Sequence, residues 1–418
     1  MKGIEEKQIE APYELPEGWK WCRLGEVADW GSGGTPSRKN PEYYQGSIPW
    51  IKTGELNETY IFDSEEKVSE DAIKHSSAKI FPKETVVMAM YGATIGKTAI
   101  FGIDASTNQA CACAICHKEL DNHFLFNFLK SKKDYFLYNA KGGAQPNISQ
   151  EIIKNTLIPL PPTLADQQHI VKRIESMFAK LDKAKEKAQN VVDGFETRKA
   201  AILHKAFTGE LTANWRKKNG VSDDSWVVKT IGECGKWERG RSKHRPRNAP
   251  ELFGGKYPFI QTGDIANADI YIYEHKQTLS EFGFQQSRLF PKDTLCITIA
   301  ANIGKVAILT YDCCFPDSVV GFTPFENVDS KFMYYKINDM QKDLEAMAPA
   351  TAQKNLNLKL LTSVSVQIPT LPEQQEIVRI LDIIIEKENK AKQAAEAVLE
   401  QIDLLKKSIL ARAFRGEL

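Results

Sequence analysis

The six residues AFTGEL at Ala206–Leu211 return as AFRGEL at Ala413–Leu418, and the interval between the two constrains the fold more than any other feature. When residue i is laid over residue i+207, Trp19 falls on Trp226, Gly25 on Gly232, Glu26 on Glu233 and Trp30 on Trp237. A two-residue insertion moves the offset to 209. Arg38 then meets Arg247, Pro41 meets Pro250, and Pro49-Trp50-Ile51 meets Pro258-Phe259-Ile260. Phe81-Pro82-Lys83 meets Phe290-Pro291-Lys292 at the same offset. One deletion gives 208, where Ile95-Gly96-Lys97 meets Ile303-Gly304-Lys305, and Gln145 and Asn147 meet Gln353 and Asn355. A second deletion restores 207, with Pro162-Thr163-Leu164 over Pro369-Thr370-Leu371 and Gln167-Gln168 over Gln374-Gln375. Matches in one order with three small offset changes exclude chance. The 418 residues are one unit of about 200 residues written twice.

Each unit has two parts. The first, residues 15–160 and 222–367, carries short apolar runs such as TVVMAM, ACACAI, TLCITIA and KVAILT, bounded by Gly, Pro, Asn and Asp. These read as strands. HFLFNFLKSKKDYFLYNA and FMYYKINDMQKDLEAMA read as helices, so this part is a compact α+β domain. The second part, 161–211 and 368–418, changes period. Ile170, Ile174, Met177, Leu181, Ala184, Ala188, Val191 and Phe195 follow one another at spacings of 4 and 3, a heptad seam. The second copy reads Ile377, Leu381, Ile384, a break at Glu388, then Ala391, Ala395, Val398, Ile402, Leu405 and Ile409. PTLADQQ and PTLPEQQ open the two helices, and the glycines of AFTGEL and AFRGEL stop them. A helix of about 36 residues is about 54 Å long. A stripe this narrow requires a partner stripe, and the other copy supplies one. The expected fold is a tandem pseudo-two-fold repeat of two α+β domains separated by two long helices. These form an antiparallel coiled coil that would hold the domains apart.

Several motifs fail on spacing. GATIGKT at Gly92–Thr98 has three residues, not four, before its Gly-Lys, and its copy AANIGKV lacks the Ser/Thr that would hold Mg²⁺. A turn between strands is the better reading, with Lys97 and Lys305 as contacts for a phosphate backbone. CACAICH at Cys111–His117 lacks zinc-site spacing and reads as a buried strand with its cysteines on one face. No metal site is assigned. No methyltransferase, nuclease, dinucleotide or nucleophile-elbow motif stands out. No signal-like or membrane-spanning apolar run appears, and eight cysteines read as reduced thiols, so an intracellular, cytoplasmic chain is expected. The absence of catalytic motifs points to recognition by a chain that is not itself an enzyme.

A net charge of +1 excludes a bulk polycation, so any nucleic-acid contact has to come from local patches. Both units place one at the same point. The first offers Ser32, Thr35, Ser37, Arg38, Lys39, Tyr43 and Tyr44, with glycines that let backbone N–H groups approach a phosphate. The second offers Arg239, Arg241, Lys243, His244, Arg245, Arg247 and Asn248. A further cluster, Lys141, Gln145 and Asn147, matches Thr351, Gln353, Lys354 and Asn355. Gln and Asn suit adenine edges and Arg suits guanine. The paired loops differ in sequence within similar frames, as two readers of different targets would. A two-domain scaffold that joins proteins without DNA, or a nucleotide-dependent enzyme using GATIGKT, are the competing classes. Duplex binding and ATP hydrolysis separate them.

The duplication, the openings LPPTLADQQ and IPTLPEQQ and the closings AFTGEL and AFRGEL resemble the specificity subunit of type I restriction–modification systems. PEGWKWCRLGEV, IPWIKTGEL and GATIGKTAI resemble that family's target-recognition domains. The resemblance covers nearly the whole chain. It implies two target-recognition domains, each reading one half of a bipartite site in double-stranded DNA across an unread spacer. It also implies two modification subunits that methylate adenine with S-adenosylmethionine, and restriction subunits that use ATP and Mg²⁺. No cofactor is expected on this chain itself.

Overall fold

The computed structural model describes residues 11–142, 146–300, 302–348 and 356–418. The chain divides into two compact units, one of residues 1–189 with 396–418 and the other of residues 190–395. Each unit therefore takes its α+β domain from one repeat and part of a long helix from each.

In the first unit, Lys20–Arg23 pairs antiparallel with Leu157–Leu160 and closes the domain's two ends on each other. A five-stranded sheet runs in the order Ala28–Ser32, Cys111–Cys116, Val86–Ala89, Thr98–Phe101, Tyr60–Ile61. A four-stranded sheet runs Glu66–Val68, Ile48–Ile51, Ala105–Thr107, Ile80–Phe81. The five-stranded sheet is buried on both faces, which explains its unbroken apolar runs. Val86, Met88, Ala112 and Ala114 face a core with the helix Asn122–Ser131. Val87, Ala89, Cys111 and Cys113 face the other core, beside Ile51 and Phe81 of the four-stranded sheet. The cysteine and alanine alternation of CACAIC is the period of two of a strand with two dry faces. Burial pushes the Cys113 thiol up to about 12.

The second unit repeats this topology strand for strand. Val227–Thr230 pairs with Ser365–Ile368. The five-stranded order is Gly235–Arg239, Val319–Pro324, Leu295–Thr298, Val306–Leu309, Tyr271–Ile272. The four-stranded order is Gln277–Leu279, Phe253–Phe259, Cys313–Cys314, Leu289–Phe290. The turn GATIGKT is the hairpin between Val86–Ala89 and Thr98–Phe101, closed by Ala89 N–H donating to Lys97 O at 2.9 Å and Gly96 N–H donating to Ala89 O at 3.0 Å.

The long helices are Leu164–Asp193, continued after Gly194 by Phe195–Phe207, and Leu371–Ala413. The expected unbroken first helix is thus interrupted by one residue. Arg198 folds back over Gly194, where a Cβ would stand 2.5 Å from its guanidinium, and donates to Val191 O at 2.9 Å. Gly209 and Gly416 close their helices in the left-handed region, at φ of 79° and 74°.

The glutamines of ADQQ and PEQQ do more than start a helix. Gln167 accepts from Asp121 N–H and donates to Glu119 O, both at 2.9 Å. Gln374 does the same to Asp329 N–H at 2.9 Å and Asn327 O at 3.1 Å. Asp121 and Asp329 are the N-caps of the helices Asn122–Ser131 and Ser330–Asp339, so each long helix is bolted to its own domain there. Between the repeats, the linker is held by Arg216, which donates to Glu373 Oε1 at 2.7 Å and to Gly209 O at 3.0 Å.

Within each unit the paired helix segments are antiparallel. In the first, Asp182 meets Lys406 at 2.5 Å and Lys185 meets Asp403 at 3.9 Å, so one number rises as the other falls. In the second, Lys392 lies 4.8 Å over the Phe195 ring and Arg198 meets Glu388 at 2.8 Å. On the first helix, Ile170, Ile174, Ala188 and Phe195 are buried, and Met177, Leu181, Ala184 and Val191 are half-buried. The second helix departs from its expected seam. Ile377, Leu381, Ala395 and Ile402 are buried and Ile384 and Ile409 half-buried, but Ala391, Val398 and Leu405 are exposed. The row facing inward is Ile385, Glu388, Lys392, Ala395, Leu399, Ile402, Lys406 and Ile409. It too has spacings of 3 and 4, but three of its members are charged. Glu388 pairs with Arg198, Lys392 lies over Phe195 and Lys406 lies over Phe178. Counting apolar residues alone misplaces such a seam, because a long charged side chain can bury its stem while its head finds a partner.

The closing hexapeptides dock crosswise. Phe207 of AFTGEL packs in the core of the second unit, 5.5 Å from Phe332. Phe414 of AFRGEL packs in the core of the first, 5.1 Å from Phe124 and 5.2 Å from Phe128. Each helix end completes the domain of the other repeat.

Candidate nucleic-acid interface

Strand register decides where the polar loops emerge. In the first unit Ser32 stands opposite Ala112, Ala89 opposite Cys111 and Met88 opposite Thr98. The segments after Ser32, between Ala89 and Thr98, and before Cys111 therefore all leave one end of the five-stranded sheet. The Lys141–Asn147 loop joins them: Lys141 and Asn147 exchange two backbone bonds of 2.8 Å, Gly92 N–H donates to Pro146 O at 2.8 Å, and Ile148 N–H donates to Met90 O at 2.9 Å. In the second unit Arg239 stands opposite Val320, Thr298 opposite Val319 and Ile297 opposite Val306. Leu356 N–H donates to Ile299 O at 2.7 Å, which brings the chain to the same end. In the first unit Lys141 and Asn147 thus meet the loop that follows Ser32, and in the second the basic loop that follows Arg239 leaves the matching end. Gln145, Thr351, Gln353, Lys354 and Asn355 lie outside the described residues.

The first-unit loop is built as follows. Trp50 Nε1–H donates to Gly34 O at 3.0 Å, and Tyr44 O–H donates to Pro36 O at 2.6 Å. Tyr43 and Tyr44 pack around Trp50 rather than standing free. Arg38 lies 4.0 Å over the Tyr44 ring and bonds Glu66 at 2.6 Å. That bond holds the Glu66 carboxyl below its usual range against the opposing effect of desolvation, and Lys52 adds to it. Thr35 Oγ1 bonds the side chain of Gln109, Lys39 is exposed and Ser37 accepts from Lys39 N–H. The glycines have a packing reason of their own. A Cβ on Gly33 would stand 1.9 Å from Thr107 O, and one on Gly34 would stand 2.1 Å from Ser77 Oγ, so they are small because protein backbone presses on them.

In the second unit, Arg239 donates to Asp317 O and Arg247 bonds the Asp317 carboxylate at 2.8 Å. Arg245 donates to the carbonyls of Ser242 and His244, at 2.7 and 2.8 Å. His244 sits edge-on to Phe282 and 3.6 Å from Glu251. Asn248 is exposed. Arg241 and Lys243 have no carboxylate partner among the described residues. The basic loop therefore splits into cations that hold it and cations that it presents.

Lys97 and Lys305 stand at the matching hairpins, both half-buried. Burial by itself would raise the Glu58 carboxyl. Lys130, at 3.0 Å, overcomes this together with Lys133 and Lys97 and holds it below the usual range. Lys97 thus already answers an acid of its own unit. Lys305 reaches Gln341 Oε1 at 3.4 Å.

Sequence reasoning missed Gln109, Asp317 and Tyr91. Gln109 and Asp317 match at the offset of 208 and each tethers its own unit's loop. That coincidence was the available signal. Tyr91, 45% exposed, bridges to Asn147 at the same end. Among the described residues there is no group of three or more His, Cys, Asp or Glu side chains that could hold a metal ion, and no helix is long and apolar enough to cross a membrane.

Known proteins share this organisation. The EcoKI specificity subunit of Escherichia coli K12 is 23% identical over 430 residues, 97% of this chain and 90% of that subunit. The MjaVIII specificity subunit of Methanocaldococcus jannaschii is 23% identical over 97% of this chain and 94% of its own length. The EcoR124I/EcoR124II specificity subunit of Escherichia coli is 30% identical over 162 residues, which cover 37% of this chain and 40% of that subunit. In fold, the chain resembles the HsdS subunit from Thermoanaerobacter tengcongensis, with a TM-score of 0.69 at 20% identity over 98% of this chain and all of that one. A chain from a structure of type I restriction–modification complex assembly gives a TM-score of 0.73 at 20% identity, over 97% of this chain and all of that one. The family model for the type I restriction modification DNA specificity domain matches twice, over residues 16–192 and 223–401, and the chain belongs to that family.

Proposed function

We propose that this chain is the DNA-reading subunit of a type I restriction–modification complex. Each unit reads one half of a bipartite site through the loops at the end of its five-stranded sheet. The paired long helices set the unread spacer by their length and dock the modification and restriction subunits. S-adenosylmethionine, ATP and Mg²⁺ act on those partners, and this chain supplies specificity without catalysis.

One observation carries the reading. Two units of the same strand order place polar and basic loops at matching sheet ends, and the loops differ in sequence where the frames agree. A scaffold that binds proteins has no need for five Lys and Arg between Arg239 and Arg247. A duplex backbone does. The test is the complex of this chain with its modification subunits, titrated with duplex DNA at several salt concentrations. Affinity should fall steeply with salt, and adenine methylation in host DNA should map to one two-part sequence that disappears with this chain. Salt-insensitive binding, or an unchanged methylation map, would remove the proposal.

A further inference from the structure

Three of the five basic residues between Arg239 and Arg247 are spent inside the protein: Arg245 on carbonyls of its own loop, and Arg239 and Arg247 both on Asp317. The surrounding backbone explains how. Gly240 N–H donates to Val319 O at 2.9 Å and Arg241 N–H to Phe315 O at 3.1 Å, so the chain continues its ladder past the sheet edge. Arg239 donates to the Asp317 carbonyl at the start of the loop, and Arg247 bonds the Asp317 carboxylate at its end. The segment between them is pinned along its length, by Lys243 N–H on Gln286 O at 3.2 Å and by Ser287 O–H on Arg241 O at 3.1 Å. One acid thus closes a loop whose remaining cations, Arg241 and Lys243, point to no carboxylate among the described residues.

The other unit has a counterpart. Gln109 occupies the position that matches Asp317 at the offset of 208, and its side chain bonds Thr35 at the start of the first loop. The anchor there is neutral and so is its partner. Arg38 goes instead to Glu66, on a strand of the four-stranded sheet.

We propose that Asp317, and Gln109 at the matching place, are positioning residues for DNA reading. Each holds its unit's loop in one shape, so the half-site preference of that unit depends on it. This rests on the DNA-reading function proposed above. An acid beside a DNA-facing loop costs affinity through repulsion of phosphate. Its retention is explained if a fixed loop is worth more than one extra cation contact, because base readout requires bidentate geometry while phosphate contact does not.

The test uses the full chain with its modification subunits and a randomised duplex library at two salt concentrations. Asp317→Ala should lower discrimination in the second unit's half-site about tenfold or more and leave the other half-site sharp. It should also steepen the salt dependence by about one phosphate contact, because Arg247 is released. Asp317→Glu should restore discrimination. Gln109→Ala should blur only the first unit's half-site. A residue that merely supported the fold would lower affinity without steepening the salt slope. If Asp317→Ala does not fold, the isosteric Asp317→Asn, which removes the charge that holds Arg247 and, like Ala, leaves the main-chain carbonyl bond to Arg239 in place, is measured in the same way. Arg241→Ala is the control for the underlying function. If it weakens binding while the Asp317 variants keep full discrimination, the positioning role is wrong and DNA reading stands. If neither Arg241→Ala nor the Asp317 variants change affinity, slope or preference, the loop does not face DNA and both fall.

Discussion

Arg198 Nε lies 2.8 Å from Glu388 Oε2 in the second unit, and the same guanidinium reaches back to Val191 O at 2.9 Å. One side chain thus ties the first long helix to the second and fixes their antiparallel register. The pair is partly exposed, so its own contribution is about 0.2–1 kcal/mol. Its information lies in position. Glu388 reads as a break in an apolar seam, yet it stands in the row that faces the partner helix.

The register of the second helix can be tested by two truncations three residues apart. Ile402 is 2% exposed and Leu405 is 46% exposed. Ile402→Ala should cost about 2–4 kcal/mol, and Leu405→Ala should stay within about 0.5 kcal/mol. Thermal unfolding of the two variants checks this. Equal losses would restore the seam read from apolar residues alone.

A heptad deletion should act on the spacer and not on the half-sites. Residues 183–189 and 399–405 face each other in the first unit, as the pairs 182 with 406 and 185 with 403 require. Removing both segments keeps the 3 and 4 pattern and shortens the paired helices by about 10 Å. The altered complex should methylate the same two half-sites at a shorter spacing. Sequencing of methylated adenines gives the answer, and an unaltered spacing refutes the idea.

The five basic side chains from Arg239 to Arg247 should separate into two groups under single alanine replacement. Arg241→Ala and Lys243→Ala remove presented cations, so each should lower the salt slope by about one and weaken all duplexes alike. If Arg241 grips a guanine bidentately, its loss should also cost about 1–3 kcal/mol at one base pair. Arg239→Ala, Arg245→Ala and Arg247→Ala should leave the slope nearly unchanged, because Arg239 and Arg247 already have partners on Asp317 and Arg245 on the carbonyls of Ser242 and His244. No replacement in this loop should alter the half-site read by the first unit.

Crosswise docking of the helix ends predicts crosswise damage. Phe414→Ala should cost about 3–5 kcal/mol and loosen the domain of residues 15–160, although Phe414 lies at the end of the other repeat. Phe207→Ala should loosen the domain of residues 222–367. Hydrogen exchange resolved by segment distinguishes this from each helix end stabilising the domain of its own repeat.

The strand cysteines should be inert in the folded chain. Burial pushes Cys113 up to about 12 and raises Cys111 and Cys296 well above the ordinary thiol range, so all three stay protonated at neutral pH. A maleimide should label them only after denaturant is added. Rapid labelling of native protein would mean that these strands are open to water.

How much was legible beforehand follows from the range of each signal. The duplication, the long helices, their glycine stops at Gly209 and Gly416 and the two-faced strand CACAIC are written in neighbouring residues, because period and turn chemistry are local properties. The matching polar loops were visible too, since a repeat displays what varies against what does not. What each side chain in those loops does was not visible. Arg239 and Arg247 differ from Arg241 through Asp317, 78 and 70 residues on, and Gly33 is small because Thr107 presses on it. The inward row of the second helix was hidden for the same reason: Glu388, Lys392 and Lys406 become interior positions only when Arg198, Phe195 and Phe178 are beside them. Above all, the sequence by itself determined that there are two domains and two helices, while the tertiary structure decided that each helix end completes the domain of the other repeat. AFTGEL and AFRGEL are alike in local chemistry. Only packing against Phe332 in one case and Phe124 and Phe128 in the other distinguishes their partners, and burial of a phenylalanine against a distant surface leaves no mark on its neighbours in the chain.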